Sequence, residues 1–261
     1  IAHSPDWLVV AHLGVGDAFW PAILCEIAYD TWAYRTKLWS FLHVTLFEMS
    51  DMTTIHRASR VEMLCVAMLF CATVSTAGDW PQHGYNAART SASPHALAGD
   101  LQLSWTRELL PPAPAWPPSQ HKVQYDVSYT PIILGKTLFI ASMVADRVTA
   151  YDTETGNELW RFYTDGPVRF APVAYDGKLA FTSDDGSLYC LNAADGTLLW
   201  RVAGAPLKRQ IIGNDRLVSM WTARGGPVLH DGTIYYGAGI WPFAGTFLHA
   251  VDAKTGTVRW S

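Results

Sequence analysis

One ten-residue pattern stands three times in this chain, at residues 151–160, 191–200 and 251–260, and it limits the fold more than any other feature. The shared rule is an apolar residue, Asp or Asn, two free positions, Thr or Asp, Gly, three free positions and Trp. Asp152, Asn192 and Asp252 fill the second position, Gly156, Gly196 and Gly256 the sixth, and Trp160, Trp200 and Trp260 the last. An Asx side chain caps its own turn, and Gly supplies the positive φ that reverses the chain into a hairpin. A large aromatic at one fixed point per repeat suits a unit that cannot bury its hydrophobic face alone and must dock on its neighbour.

The segments before each copy extend the match. Residues 130–139, 171–180 and 226–235 each open with a small residue and Pro, continue with apolar residues, turn, and resume a strand pattern. Four short antiparallel strands per unit follow, and in a repeat of roughly 40 residues that arrangement is the signature of a β-propeller blade. The expected fold is therefore all-β, a propeller of four-stranded antiparallel blades.

These Asx-x-x-[Thr/Asp]-Gly-x-x-x-Trp repeats resemble the tryptophan-docking repeats of the quinoprotein, or PQQ-like, β-propeller superfamily. The resemblance covers about residues 79–261. It implies one of two kinds of protein: pyrroloquinoline-quinone dehydrogenases, or cofactor-free propellers such as BamB, the β-propeller lipoprotein of the outer-membrane assembly machine. Residues 78–84, Gly-Asp-Trp-Pro-Gln-His-Gly, resemble the opening often seen in exported members just before the first blade.

The start of the chain shares nothing with the repeats. Residue 1 is Ile, and residues 1–51, rich in Trp and Phe but broken by Asp17, Glu26, Asp30, Arg35 and Lys37, are read as an upstream or unstructured leader. From Met52, Arg57 and Arg60 precede a largely apolar stretch at residues 61–76, followed by small residues at Ser75 and Ala77. That is the layout of a secretory signal peptide at 52–77. The propeller portion then runs over 78–261, and the expected location is the periplasm or cell envelope. Cys25, Cys65 and Cys71 precede the expected cleavage, which leaves Cys190 alone, without a partner for a bridge. The portion from residue 78 on has nearly balanced charge, which implies neither a nucleic-acid partner nor an anionic membrane surface.

Within the propeller portion, residues 101–105 read as an N-terminal strand that closes the ring on the last blade, with Trp105 in a docking position. Residues 111–118, rich in Pro, read as an exposed loop. The interval from Trp160 to Trp200 is 40 residues and that from Trp200 to Trp260 is 60, so an insertion lies at about 201–224. Since a closed ring takes about four to eight blades, the three repeats are expected to be the N-terminal part of a longer protein with seven or eight.

Candidate binding residues come from position. The residue three before each strand-opening Pro is Ser128, Arg169 or Arg224, and the first strand of a blade lines the central channel, so these side chains converge at one mouth. Two arginines there suit a carboxylate, phosphate or acidic sugar, or else pair with blade carboxylates. Trp241, in the aromatic loop at 240–245, is expected on the same face. No catalytic constellation is visible: the carboxylates Asp126, Asp146 and Asp165 match no motif, and His83, His95, His121, His230 and His249 stand singly, so no metal site is expected. The residues themselves call for no cofactor; the resemblance makes pyrroloquinoline quinone with calcium the cofactor to test. The function expected is binding or scaffolding, against two alternatives. One is a quinoprotein oxidoreductase completed by further blades, and the other a carbohydrate- or anion-sensing propeller.

Overall fold

The same capping of backbone amides by an Asx side-chain oxygen recurs in every repeat. Asp152 Oδ1 accepts from the backbone N–H of Thr155 at 2.7 Å and of Glu154 at 3.0 Å, and Asp252 Oδ1 accepts from Thr255 at 2.9 Å and Lys254 at 3.0 Å. Asn192 Oδ1 does the same for Ala194 at 2.9 Å. The turn then passes through Gly156, Gly196 or Gly256 at φ of 69°, 73° and 74°. In this computed structural model residues 7–12, 78–97, 99, 101–116, 119, 124–213 and 215–261 are described. The signal-peptide reading and, apart from residues 7–12, the leader reading lie outside them, as does His121.

Sixteen strands are present among the described residues, and twelve of them form three antiparallel four-stranded blades. Blade 1 is β3 (Ile132–Leu134), β4 (Thr137–Ser142), β5 (Arg147–Asp152) and β6 (Glu158–Tyr163). Blade 2 is β7 (Val173–Tyr175), β8 (Lys178–Thr182), β9 (Ser187–Asn192) and β10 (Leu198–Ala203). Blade 3 is β13 (Val228–His230), β14 (Thr233–Ala238), β15 (Phe247–Asp252) and β16 (Val258–Trp260). In each blade the last pair slips register by one residue just before the Trp: Ala150 faces Trp160, Cys190 faces Trp200 and Ala250 faces Trp260. Such a bulge puts an extra residue in the outer strand and re-aims the next side chain, here toward the neighbouring blade.

The docking is explicit. A Cβ built on Gly196 would stand 2.6 Å from Trp160 Cε3, and one on Gly256 would stand 2.7 Å from Trp200 Cδ2. The glycine is therefore required twice, for its φ and for the indole lying on it. Trp160 Nε1 donates to Ala193 O at 3.0 Å. The Trp200 indole finds the equivalent carbonyl, that of Ala253, already accepting from Tyr175 Oη at 2.8 Å, and its buried Nε1 has no partner. Between the blades lie two apolar layers. One joins Ile132, Phe139 and Val148 of blade 1 to Leu179, Phe181 and Leu191 of blade 2; the other joins Val173, Ala180 and Cys190 to Ile234, Tyr236 and Val251 of blade 3. Each fully buried large side chain in them contributes about 1.5–3 kcal/mol relative to an exposed one. Trp260, at the outer strand of blade 3, remains 49% exposed.

The strand expected at 101–105 is β2 (Gln102–Glu108). It pairs antiparallel with β1 (Trp7–His12) and with no strand of blade 3. Trp105 nonetheless docks as the pattern demands: its Nε1 donates to Thr153 O at 2.9 Å, and its ring lies 2.6 Å from where Gly156 would carry a Cβ. The insertion contains a hairpin, β11 (Gln210–Gly213) and β12 (Arg216–Ser219). Arg216 ties it to the β4–β5 turn of blade 1 through the Asp146 carboxylate and the Met143 and Val144 carbonyls.

The opening Asp-Trp-Pro-Gln segment crosses the first strands of all three blades. Asp79 Oδ1 accepts from Gly135 N at 2.6 Å, and Trp80 exchanges two backbone bonds with Ile133 at 3.0 and 2.9 Å. Pro81 O accepts from Ala174 N at 2.7 Å, and Gln82 Oε1 accepts from Leu229 N at 3.2 Å. The chain then enters the candidate site at His83.

Candidate functional site

Four charges meet above the first strands. Arg169 comes from the loop between β6 and β7, Asp184 from the β8–β9 turn, Arg224 from the approach to β13, and Asp126 from the segment preceding β3. Asp184 sits between the two arginines: Arg169 Nε donates to its Oδ2 at 2.7 Å, while Arg224 donates through Nε to Oδ1 at 3.0 Å and through Nη2 to Oδ2 at 2.9 Å. Asp126 Oδ2 accepts from Arg169 Nη1 at 2.9 Å and from the Ala115 amide at 2.8 Å. Arg169, Asp126 and Asp184 are buried. Burial of this kind is tolerated because each charge has an opposite partner, and the Ala115 amide and Ala113 carbonyl add further hydrogen bonds.

The candidate residues picked by position lie as follows. Ser128, Arg169 and Arg224 line one pocket of about 530 Å³, but both guanidiniums are turned onto blade carboxylates. The loop carrying Ala113 and Ala115 is fastened over the pocket by Arg169, which also donates to Ala113 O at 2.8 Å. Trp116 forms one wall, with the Arg224 guanidinium 5.9 Å from its ring centroid. Trp241 supports that wall from behind, edge-on to Trp116 at 5.8 Å, and Phe243 stacks on Trp241 at 5.9 Å.

Three contributors carry no signal in the repeat pattern. Asp184 looks like an ordinary turn residue, and only the chain reversal sets it between arginines 15 and 40 residues away. Trp116 lies in a Pro-rich stretch with no repeat counterpart. Arg89 reaches the pocket from the opening segment and donates through Nη2 to Gly226 O at 3.2 Å, 137 residues on. The signal that could have found it is the Gly84-to-Thr90 run of Asn, Arg and Thr, whose polar residues tie a tight loop.

The other candidates are dispersed. Asp146 pairs with Arg216, and burial pushes its carboxyl above the usual range. Asp165 is exposed and borders a separate pocket beside Lys208 and Arg209. His249 is buried in blade 3 between Ser261 Oγ and Gly204 O, each at 3.0 Å, and His230 is exposed beside Asp231. Cys190 is fully buried against Tyr175, and burial pushes its thiol up to about 11, so it is a packing residue. No group of three His, Cys, Asp or Glu that could hold a metal occurs among the described residues.

Residues 102–261 match the family model described as outer membrane protein assembly factor BamB. Alcohol dehydrogenase (quinone), dehydrogenase subunit, from Gluconobacter oxydans is 28% identical over 200 residues, covering 70% of this chain and 24% of that protein. Outer membrane protein assembly factor BamB from Moranella endobia is 33% identical over 69 residues, covering 26% of this chain and 18% of that protein. The solved structure of a quinohemoprotein alcohol dehydrogenase from Comamonas testosteroni superposes with a TM-score of 0.50 at 23% identity, over 72% of this chain and 28% of that one. The chain spans about a quarter of the length of the quinone-dependent alcohol dehydrogenases it matches.

The fit of pyrroloquinoline quinone and calcium can be judged on the pocket residues. A calcium ion needs several free oxygen ligands, yet Asp184 and Asp126 are both taken by arginine, and Arg169 and Arg224 are in turn unavailable to a polyanionic cofactor. The residues of this pocket therefore do not fit that pair. On its repeat, its four-stranded blades and the match over 102–261, the chain belongs to the PQQ-like β-propeller family described as outer membrane protein assembly factor BamB.

Proposed function

We infer that this chain is a binding or scaffolding module of an exported propeller that works in the cell envelope. The observation that supports this reading most is the pocket itself. Its wall is fixed by a charge network that is already satisfied, so the site is built to receive something without rearranging. Pre-formed concave sites with an aromatic wall and a few polar groups are the usual form of ligand pockets. The name of the family model, an outer-membrane assembly factor, is in keeping with an envelope location and a protein partner.

The second reading, a quinoprotein oxidoreductase, is favoured by the 28% identity to the Gluconobacter oxydans dehydrogenase subunit. The two separate in one titration, with pyrroloquinoline quinone added to the protein with and without calcium while tryptophan fluorescence is followed. The binding-module reading expects no saturable change. Saturable, calcium-dependent quenching would replace it with the oxidoreductase.

A further inference from the structure

Arg89 is the one guanidinium at the pocket that meets no carboxylate among the described residues. Arg169 and Arg224 are each neutralised, whereas Arg89, exposed at the edge of the pocket it lines, makes only the bond to the Gly226 carbonyl, which leaves the rest of its donor fork without a partner among the described residues. Its placement is held at a conformational cost. Tyr85, Arg89 and Ser91 have φ of 75°, 54° and 54°, a left-handed region that non-glycine residues seldom occupy. The loop is locked there by Arg89 N to Asn86 O at 2.8 Å, Ser91 N to Gly84 O at 2.9 Å and Thr90 N to Asn86 Oδ1 at 3.2 Å. Strain of this sort persists where the surroundings over-determine it, and ligand clamps are among its usual places.

Besides polar residues such as Ser128 and Thr130, the pocket is lined by the apolar Ala115, Trp116, Phe170 and Ile240. We propose that the pocket binds an amphiphilic monoanion, with a flat or extended apolar body laid against Trp116 and a single carboxylate paired with Arg89. One free guanidinium matches one carboxylate bidentately and offsets one charge, which distinguishes this ligand class from a polyanion. The apolar walls distinguish it from a bare inorganic anion. The assignment deepens the binding-module reading and rests on it.

The test is a fluorescence titration of the whole chain with 2-naphthoate, its uncharged counterpart 2-naphthylmethanol, and inorganic phosphate, repeated on Arg89→Gln and Arg89→Lys. Naphthoate is expected to bind roughly tenfold or more tighter than the alcohol, as a charge-assisted hydrogen bond implies, with phosphate showing no saturation. In Arg89→Gln the ratio between the two should collapse to about one, and Arg89→Lys should restore part of it. The thermal melt of each variant reports folding independently. Equal affinity for naphthoate and the alcohol, or an unchanged ratio in Arg89→Gln, would overturn the role of Arg89 while leaving a binding pocket. Saturable phosphate binding would overturn the amphiphilic class. Failure of both naphthalene probes on folded protein would remove the pocket reading as well.

Discussion

A single glycine does two jobs in each repeat. At Gly196 the backbone stands at φ 73°, and the Trp160 indole covers the Cα so closely that a methyl would meet Cε3 at 2.6 Å. Gly196→Ala is therefore expected to cost about 2–5 kcal/mol, from a left-handed residue at about 1–2 kcal/mol and overpacking at about 1–3 kcal/mol. A urea melt would show it as a lower midpoint, and a loss under about 0.5 kcal/mol, the usual range for an uninvolved surface site, would contradict the double role. The tryptophan and glycine positions were fully legible because chemistry at fixed spacing repeats in them. The competition for the Ala253 carbonyl was not. Tyr175 stands where blade 1 has Leu134 and blade 3 has His230, so no repeat rule could show that its hydroxyl would bond that acceptor while the Trp200 indole does not.

At the scale of elements, the Asx turn is a small pH-dependent device. Hydrogen bonds from Thr155, its backbone amide first, hold the Asp152 carboxyl below its ordinary value of 3.8; at Asp252 the Arg259 guanidinium does most of the same work. A carboxyl whose folded pKa is depressed adds stability that is complete above its unfolded value and fades as pH falls through the folded one. The urea midpoint should thus drop on acidification below about pH 4, and Asp152→Asn should make that drop shallower, since an amide caps without titrating, as Asn192 does in blade 2. An identical acid profile in the variant would show that the turn contributes no pH dependence. Four strands per blade could be read from the sequence, with β3, β7 and β13 starting at or just after the expected prolines. The β11–β12 hairpin could not, since residues 210–219 have no counterpart in the other repeats and its anchor, Arg216 on Asp146, spans 70 residues.

For the molecule as a whole, the candidate site is the place where the blades are joined electrostatically. Arg169 connects Asp184 of blade 2 to Asp126 and Ala113 of the segment before blade 1, and Arg224 brings in the approach to blade 3. Removing the central cation leaves Asp126 buried with only the Ala115 amide. Arg169→Met is accordingly expected to destabilise by about 3–5 kcal/mol, the usual consequence of stranding a buried charge. Adding Asp126→Asn should recover part of it, and denaturant melts of the single and double variants measure both. Ser128, Arg169 and Arg224, singled out by their position along the repeats, line one pocket. Pairing with carboxylates was one of the two roles the sequence left open for these arginines; position could not say which carboxylates, because Asp126 precedes the first repeat and Asp184 sits in a turn 15 and 40 residues away.

The Asp79-to-Gln82 crossing has a consequence for the life of the chain. That peptide leaves the ribosome before any blade it touches, while its last acceptor, the Leu229 amide, is made 147 residues later. During synthesis from the N-terminus, it can be fastened to blade 1, then to blade 2, and only at the end to blade 3. Until then the strand beside the future pocket is a loose end of the kind proteases favour. Protection of this segment from cleavage is therefore expected to rise only once the third blade is in place, which limited proteolysis during refolding would show.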